Sequence, residues 1–548
     1  MFHLKQIFLA FTRREKVSFF AASGAAILSG FILVILGFLQ FTEAVPASGG
    51  EYSEGFVGQP SFINPVLAAS EVDKGLVRLV FSNIRDITEK IEPAEDGRIW
   101  KIRLKEKLVW HDNEKLTSDD VVFTIQKIQD PESSSPLATV WQGIAAQRLS
   151  ELELQLSLIN PYAFFPEILN SLYILPRHIF GNIPPANWRL SDFNLRPVGS
   201  GPYRFSSFEK RTDGFVAAYR LNSWKDSGGE VLINNMIFRF FADSDKLIQS
   251  FNAGQIDAFS GIEPGNISLI SRPYETVPFR LPNYYAVFFN QSKNIALKEA
   301  EVREALGIAL DKNAIVRNAL LGRGAVSFGP IPEEISYFAD ELKGSTTSLE
   351  LAAQILEEAG WKLNEDGFRE ATVQRTAIPL EFALTVPRIG FLASTAEILA
   401  EEWKKIGVKV NLEIADTNDI VTNAIRNRGY EALLFGNILS RSFDLFSFWH
   451  SSERFHPGLN VALYNSKEAD VLIEAIRQNL DEESRREQFR ELQLLIDGDH
   501  PAIFLYSPHY LYIASRNVRG VLPKLISEPA ERFVGAKDWY LRTARVLR

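Results

Sequence analysis

The chain has 548 residues, of which 46% are hydrophobic and 23% charged, and its formal net charge is −9. Such a length exceeds one compact core and implies two or three domains of ordinary globular composition, while the acidic balance excludes a general nucleic-acid binder, which carries a clustered basic excess. Cysteine is absent, which removes disulfides, thiolate metal sites and cysteine nucleophiles, together with any cysteine-linked lipid tether.

Lys5, Arg13, Arg14 and Lys16 precede an uncharged apolar run over residues 17–41. As a helix, those 25 residues cover the bilayer's hydrocarbon core, about 30 Å at about 1.5 Å per residue. The apolar part of a cleaved signal peptide spans only about 7–15 residues, so length favours an uncleaved anchor. Val45-Pro46-Ala47 still makes a passable cleavage site, and removal stays open. The basic flank, 1–16, places this end in the cytoplasm and the chain after residue 41 outside. Residues 42–50, TEAVPASGG, are small and polar and predict a short tether.

After a break at Asn64-Pro65, an apolar pattern resumes over 76–84. The segment 97–131 carries the sharpest local signal. Lys101, Arg103 and Lys105 alternate with Trp100, Ile102 and Leu104, the pattern of a strand with one buried face. Thr117 stands three residues before Asp120, a capping box at a helix start, and Val121, Ile125 and Ile128 follow as one apolar stripe. Asp130-Pro131 ends that helix. A strand is expected over 236–241. From residue 301 the chain turns to an α/β rhythm. An amphipathic helix spans 301–310, Asp311 caps another over 312–321, and Gly322 stops it. A helix over 348–359 ends at Gly360, placed as a C′ residue. Leu380, Phe382, Leu384 and Val386 alternate as a strand. A helix through Ile398 and Trp403 ends at Gly407, and Val408, Val410, Leu412 and Ile414 alternate again. A helix near 418–428 leads to a strand over 432–436. Strand, helix, strand, helix, strand predicts a parallel sheet with crossover helices. Helices at 468–480 and 482–496 precede a strand at 503–506.

Six blocks, taken together, carry a family resemblance. They are Val109-Trp110-His111-Asp112-Asn113 with Thr117-Ser118-Asp119-Asp120-Val121-Val122-Phe123; Pro197-Val198-Gly199-Ser200-Gly201-Pro202-Tyr203; Phe251-Asn252-Ala253-Gly254-Gln255-Ile256-Asp257; Phe289-Asn290; Val302-Arg303-Glu304-Ala305-Leu306; and Leu463-Tyr464-Asn465-Ser466 with Ala469-Asp470. In this order the chain resembles the family 5 extracytoplasmic solute-binding proteins, the oligopeptide, dipeptide and nickel receptors of ABC importers. The resemblance implies an α/β, periplasmic-binding-protein type II-like fold: two lobes plus an extra domain around a hinged cleft, preceded here by a transmembrane helix. It implies a discontinuous domain I (51–87, 186–278 and 500–548), a domain II (88–185) and a domain III (279–499). It also implies a monomeric receptor, without cofactor or metal, that captures a peptide or related small polar ligand and delivers it to a permease and ATPase complex. Carbohydrate or metal-chelate capture on the same fold, or a sensor without transport, are the alternatives.

Ligands of open α/β sheets lodge beyond the carboxyl ends of strands, so the loops there supply the candidates. The loop after 432–436 resembles the family's peptide-clasp loop and offers Asn437, Ser440, Arg441, Asp444 and Trp449. Ser440 or Arg441 stands where peptide-binding relatives carry the acid that holds the α-ammonium, according to how the loop is aligned. Neither replaces that acid, and the planar fork of Arg441 suits a carboxylate instead; a solvated surface arginine is the alternative. Trp449 stacks on a ligand or plugs a core. Ser70 and Glu71 stand where the first cleft loop is expected, Asn290 ends an apolar strand, and Arg388 follows another; solvated or turn-forming roles compete with binding in each case.

Enzymatic and metal-binding constellations are missing. His450, Glu453 and His456 lack the i, i+4 histidine pair of a helical zinc motif, and there is neither a G-x-S-x-G elbow nor a P-loop. Gly199-Ser200-Gly201 lacks a following helix and reads as a turn, and His111 is read as structural. A binding protein, not an enzyme, is expected.

Overall fold

Thr12 caps helix α1 (Arg13–Phe41): its hydroxyl accepts from the Glu15 amide at 3.4 Å, and the Glu15 carboxylate accepts from the Thr12 amide at 2.8 Å. No residue of α1 is buried, and the helix is long and apolar enough to cross a membrane. The structure is a computed structural model describing residues 12–547, apart from 95, 225–230, 345–346, 374 and 440–441. The 42–50 stretch is not a loose tether. Thr42–Ala47 forms strand β1, paired antiparallel with a strand over Arg542–Leu547, and the Gly49 amide donates to Leu232 O at 2.8 Å. A small polar segment has no side chains to hide its backbone, so pairing satisfies it.

The first lobe begins with β2 (Glu51–Val57) and α2 (Glu71–Val80). The Ser70 hydroxyl caps α2 by accepting from the Asp73 amide at 3.0 Å. The second lobe holds β3 (Thr88–Pro93), β4 (Ile99–Leu104), α3 (Ser118–Gln129), β5 (Ile144–Arg148) and β6 (Glu153–Leu158), an antiparallel sheet in the order β3-β4-β6-β5. Strand β4 alternates as its sequence predicts, with Trp100, Ile102 and Leu104 buried and Lys101 and Arg103 exposed. Thr117 and Asp120 cap α3 reciprocally, and Val121, Ile125 and Ile128 are fully buried.

The first lobe resumes with β7 (Tyr203–Lys210), β8 (Val216–Ser223), β9 (Asn235–Phe241), β10 (Ala258–Ser260) and β11 (Glu275–Phe279). The third lobe starts with β12 (Asn283–Phe289), α4 (Ala300–Ile308), α5 (Lys312–Ala319), β13 (Gly324–Val326) and α6 (Leu349–Glu358). Asp311 caps α5 and Ser348 caps α6, and Gly322 and Gly360 take positive φ (+73° and +91°) at the two stops. A small sheet of β14 (Lys362–Leu363), β15 (Arg369–Val373) and β16 (Thr376–Pro379) precedes β17 (Glu381–Pro387), α7 (Gly390–Lys405), β18 (Lys409–Ala415) and β19 (Ala432–Ile438). Helices α8 (Lys467–Gln478) and α9 (Glu482–Asp499) lead to β20 (Ala502–Pro508); β21 (Tyr510–Ala514) is back in the first lobe, and β22 (Arg542–Leu547) is the partner of β1.

The first sheet has the order β11-β21-β10-β2-β9-β8-β7 and the third β13-β20-β12-β19-β17-β18. The third sheet is mixed, not the parallel one expected. Strand β17 runs parallel to β18 and β19, whereas β12, β13 and β20 join antiparallel. The strand at 503–506, expected to belong to the first domain from residue 500, stays in this third sheet. Its two faces serve two cores: Ile503 and Leu505 pack with Val287 and Leu384, and Ala502 and Phe504 with Tyr284 and Trp449. The chain therefore crosses between the two large sheets at 280–282 and returns at His509 alone.

The loop before α3 is locked to the 199–201 turn through His111. Its Nε2–H donates to Gly201 O at 3.0 Å, and Nδ1 accepts from the Gly199 amide at 3.3 Å. This set of partners selects the neutral ring, because a proton on Nδ1 would face another N–H. Burial lowers the His111 pKa from 6.5 to about 4. Between those values the unfolded chain binds a proton that the fold refuses, so this ring's contribution is complete above pH 6.5 and declines as pH falls toward 4. The stability advantage of the wild type over His111→Gln, measured by urea denaturation, should shrink from pH 7.5 to pH 4.5. Gly199 packs so closely that a β-carbon would lie 1.9 Å from Val80 O; Gly199→Ala should cost about 3 kcal/mol or more in the same assay.

Candidate ligand-binding cleft

A cavity of about 960 Å³ opens where the three lobes meet. Its walls come from α2, from the second lobe between Leu137 and Tyr173, from the end of β19 and the loop after it, and from residues 527–529 and 531. Leu281, within the first crossing, also lines it. The volume lies within the usual range of small-ligand sites, roughly 300–1,000 Å³. Apolar groups are prominent, and Ile438 and Ile159 remain 62% and 74% exposed beside it.

Apart from Glu167, whose carboxylate accepts from Asn170 Nδ2 at 2.6 Å, the charges of the described wall residues are bonded to one another. On the first lobe, Lys74 Nζ lies 2.7 Å from Glu528, and Arg78 lies 2.7 Å from Glu528 and 3.7 Å from Glu531. Burial works against the Glu528 charge, but Arg78 and Lys74 hold its carboxyl below the usual range. The Arg78 guanidinium also stands 5.4 Å from the Tyr173 ring, whose hydroxyl burial pushes up to about 12. On the opposite side, Asp444 accepts from Tyr162 Oη at 2.8 Å and from Arg477 Nε at 3.0 Å. Burial and the adjacent Asp444 carboxylate push the Tyr162 hydroxyl far above its ordinary value, so it stays a donor.

The segment carrying Glu528 and Glu531 is fixed from behind by Arg532, whose side chain is fully buried. Its Nη2 and Nε donate to Glu54 at 2.8 and 3.1 Å, and Nη1 donates to Glu71 at 3.0 Å and to Pro529 O at 2.7 Å. Tyr52 Oη donates to Glu54 from the other side and meets Tyr512 Oη at 2.6 Å.

Of the candidates read from sequence, Asp444 lines the cavity. Ser440 and Arg441 lie outside the described residues. Asn437 and Trp449 are buried and both donate to Tyr284 Oη, at 2.8 and 3.0 Å, so they hold a core hydroxyl instead of a ligand. Asn290 is also buried: it donates to Arg428 O at 3.0 Å and accepts from Ser292, at the end of β12 away from Ile438. Arg388 is exposed and ion-paired with Asp416 at 3.2 Å. Ser70 and Glu71 line a separate recess of about 240 Å³ beyond the ends of β2 and β10. Ser70 is spent on its cap, and Glu71 on Arg532 and on the Tyr510 hydroxyl at 2.5 Å. Sequence reasoning missed Lys74, Arg78, Tyr162, Arg477, Glu528 and Glu531. They lie in four segments up to 457 positions apart (74 to 531), and no local pattern marks them.

Comparison with known proteins agrees with this geometry. The profile of the bacterial extracellular solute-binding proteins, family 5, middle region, matches residues 63–454. The chain is 25% identical over 495 residues to the oligopeptide-binding protein AppA of Bacillus subtilis, covering 87% of this chain and 89% of that protein. It is 21% identical over 460 residues to the dipeptide-binding protein of Escherichia coli, covering 80% and 83%. Among solved structures, the ABC transporter substrate-binding protein CtaP of Listeria monocytogenes superposes with a TM-score of 0.77 at 22% identity, over 90% of this chain and 99% of that one. NikZ of Campylobacter jejuni, in complex with Ni(L-His), gives 0.69 at 23% identity, over 89% and 99%. An α/β fold with a cleft between its lobes is what the structure shows, and the matched profile makes the class a solute-binding one. The chain belongs to family 5 of the bacterial extracellular solute-binding proteins, whose members here are receptors and not enzymes.

Removing Arg532 strands Glu54 as a buried charge. Arg532→Ala should cost about 3–5 kcal/mol in urea denaturation.

Proposed function

We propose that this chain is the membrane-anchored receptor of an ABC importer, capturing peptides or a related small polar ligand between its lobes for delivery to a permease. One observation carries this: the 960 Å³ cavity is walled by all three lobes and touches the first crossing between them, so a bound ligand bridges parts that can rotate. Similarity to the oligopeptide-binding protein of Bacillus subtilis and the dipeptide-binding protein of Escherichia coli supports the peptide class. Helix α1 supports the anchor by length and apolarity, and the basic flank before it supports an orientation with that end in the cytoplasm and the lobes outside. Arg441 remains the candidate for holding a ligand's carboxylate.

Thermal unfolding of the full chain in detergent, with peptides of two to nine residues and with sugars, tests the ligand class. A ligand at about 100 times its Kd adds about 2.7 kcal/mol, so peptides should raise Tm; sugars raising it while peptides do not would overturn the peptide class. Because Tyr162 and Arg477 already occupy Asp444, acetylating the peptide's amino end should weaken binding by less than about tenfold, or about 1.4 kcal/mol by calorimetry. Arg441→Ala should abolish the Tm shift given by ligands with a free carboxylate, and an unchanged affinity would return Arg441 to a solvated role.

A further inference from the structure

Strands β1 and β22 form a two-stranded ribbon directly on the end of α1. The register pairs Thr42 with Leu547 and Ala47 with Arg542, so the far end of β22 lies level with the last turn of the helix. The junction is specific. The Thr42 hydroxyl donates to Phe38 O, and Arg545 Nη1 donates to Thr42 Oγ1 at 3.0 Å and to Thr42 O at 3.4 Å. The same guanidinium stands 5.8 Å from the Phe38 ring. Helix carbonyl ends favour a cation, yet α1 has no basic residue in its last turn; Arg545 supplies one from across the ribbon. Beside it, Phe41, Val546 and Leu547 are 66%, 42% and 81% exposed.

We infer that β22 is a second membrane contact: Val546 and Leu547 enter the interfacial layer beside Phe41, with Arg545 level with the lipid phosphates. This rests on the anchor reading of α1. If α1 spans the bilayer, the register leaves Leu547 at the depth of Thr42, one residue beyond the span. Exposed aliphatic side chains at that depth lose water by entering the acyl boundary, and a neighbouring arginine is drawn to anionic headgroups. The ribbon's six paired residues then extend about 20 Å at about 3.4 Å per residue, a stiff spacer between the bilayer and β2.

The cysteine-free chain allows a clean test in nanodiscs of phosphatidylcholine and phosphatidylglycerol. Full-length Val45→Cys/Ala544→Cys, placed at paired positions, should form an intramolecular disulfide. A fluorophore on full-length Leu547→Cys should be quenched at least twofold by lipids spin-labelled near the headgroup. A disulfide together with quenching supports the contact. An intact N-terminal segment with a disulfide but no quenching, or with neither, overturns the contact while leaving the anchor standing. A mature chain beginning at Ser48 by mass spectrometry overturns the anchor, and the contact with it.

Discussion

A fully buried guanidinium has to be neutralised within the protein, and Arg532 sets the terms on which the first lobe is built. Taking such a charge out of water costs several kcal/mol unless its donors find good acceptors. Glu54 from the central strand β2, Glu71 from the first turn of α2 and the carbonyl of Pro529 provide them. Segments nearly 480 residues apart in sequence (54 to 532) are thereby held in one arrangement. Tyr52 and Tyr512 complete the shell, so the pair is bonded on both sides. The wall of the cleft follows from this. With α2 and residues 528–532 fastened at Arg532, Lys74 and Arg78 on the same helix meet Glu528 and Glu531.

The cleft that results is electrostatically quiet. Among the described residues its acids and bases, Glu167 apart, close on one another within each lobe, leaving apolar side chains and neutral polar ones such as Thr139, Gln142 and Asn160 as the contact surface. A paired lining imposes no desolvation penalty for an unpaired wall group when a small or neutral solute enters.

What could be read in the sequence was what local physics decides. The alternation of β4, the Thr117–Asp120 box and the Gly360 stop depend on neighbours within a turn or a strand, and each stands where its pattern placed it. Pairings across long separations left no local trace. The small residues of β1 say nothing of a partner some 500 positions later, and β20 could be recognised as a strand without revealing which sheet it joins. The same limit explains the candidate site. Loop position suggested Asn437 and Trp449, but both turn inward to the hydroxyl of Tyr284, a residue on a different strand. Asp444 emerged from loop position, whereas its partners Tyr162 and Arg477 come from a different lobe and a different helix.

The two crossings, at 280–282 and at His509, have a mechanical consequence. Connections this short favour rotation over sliding, which would make the line joining them a fulcrum. Leu281 belongs to the first of these crossings, Ile159 to the second lobe and Leu459 to the chain between β19 and α8, and all three line one cavity. For any small angle of closure, displacement grows in proportion to distance from the fulcrum. A ligand held at the crossings would then meet walls that barely move, while one reaching further out would meet walls that travel furthest. Were the lobes to rotate about that line, the angle at which closure stops would track how far a ligand extends from it.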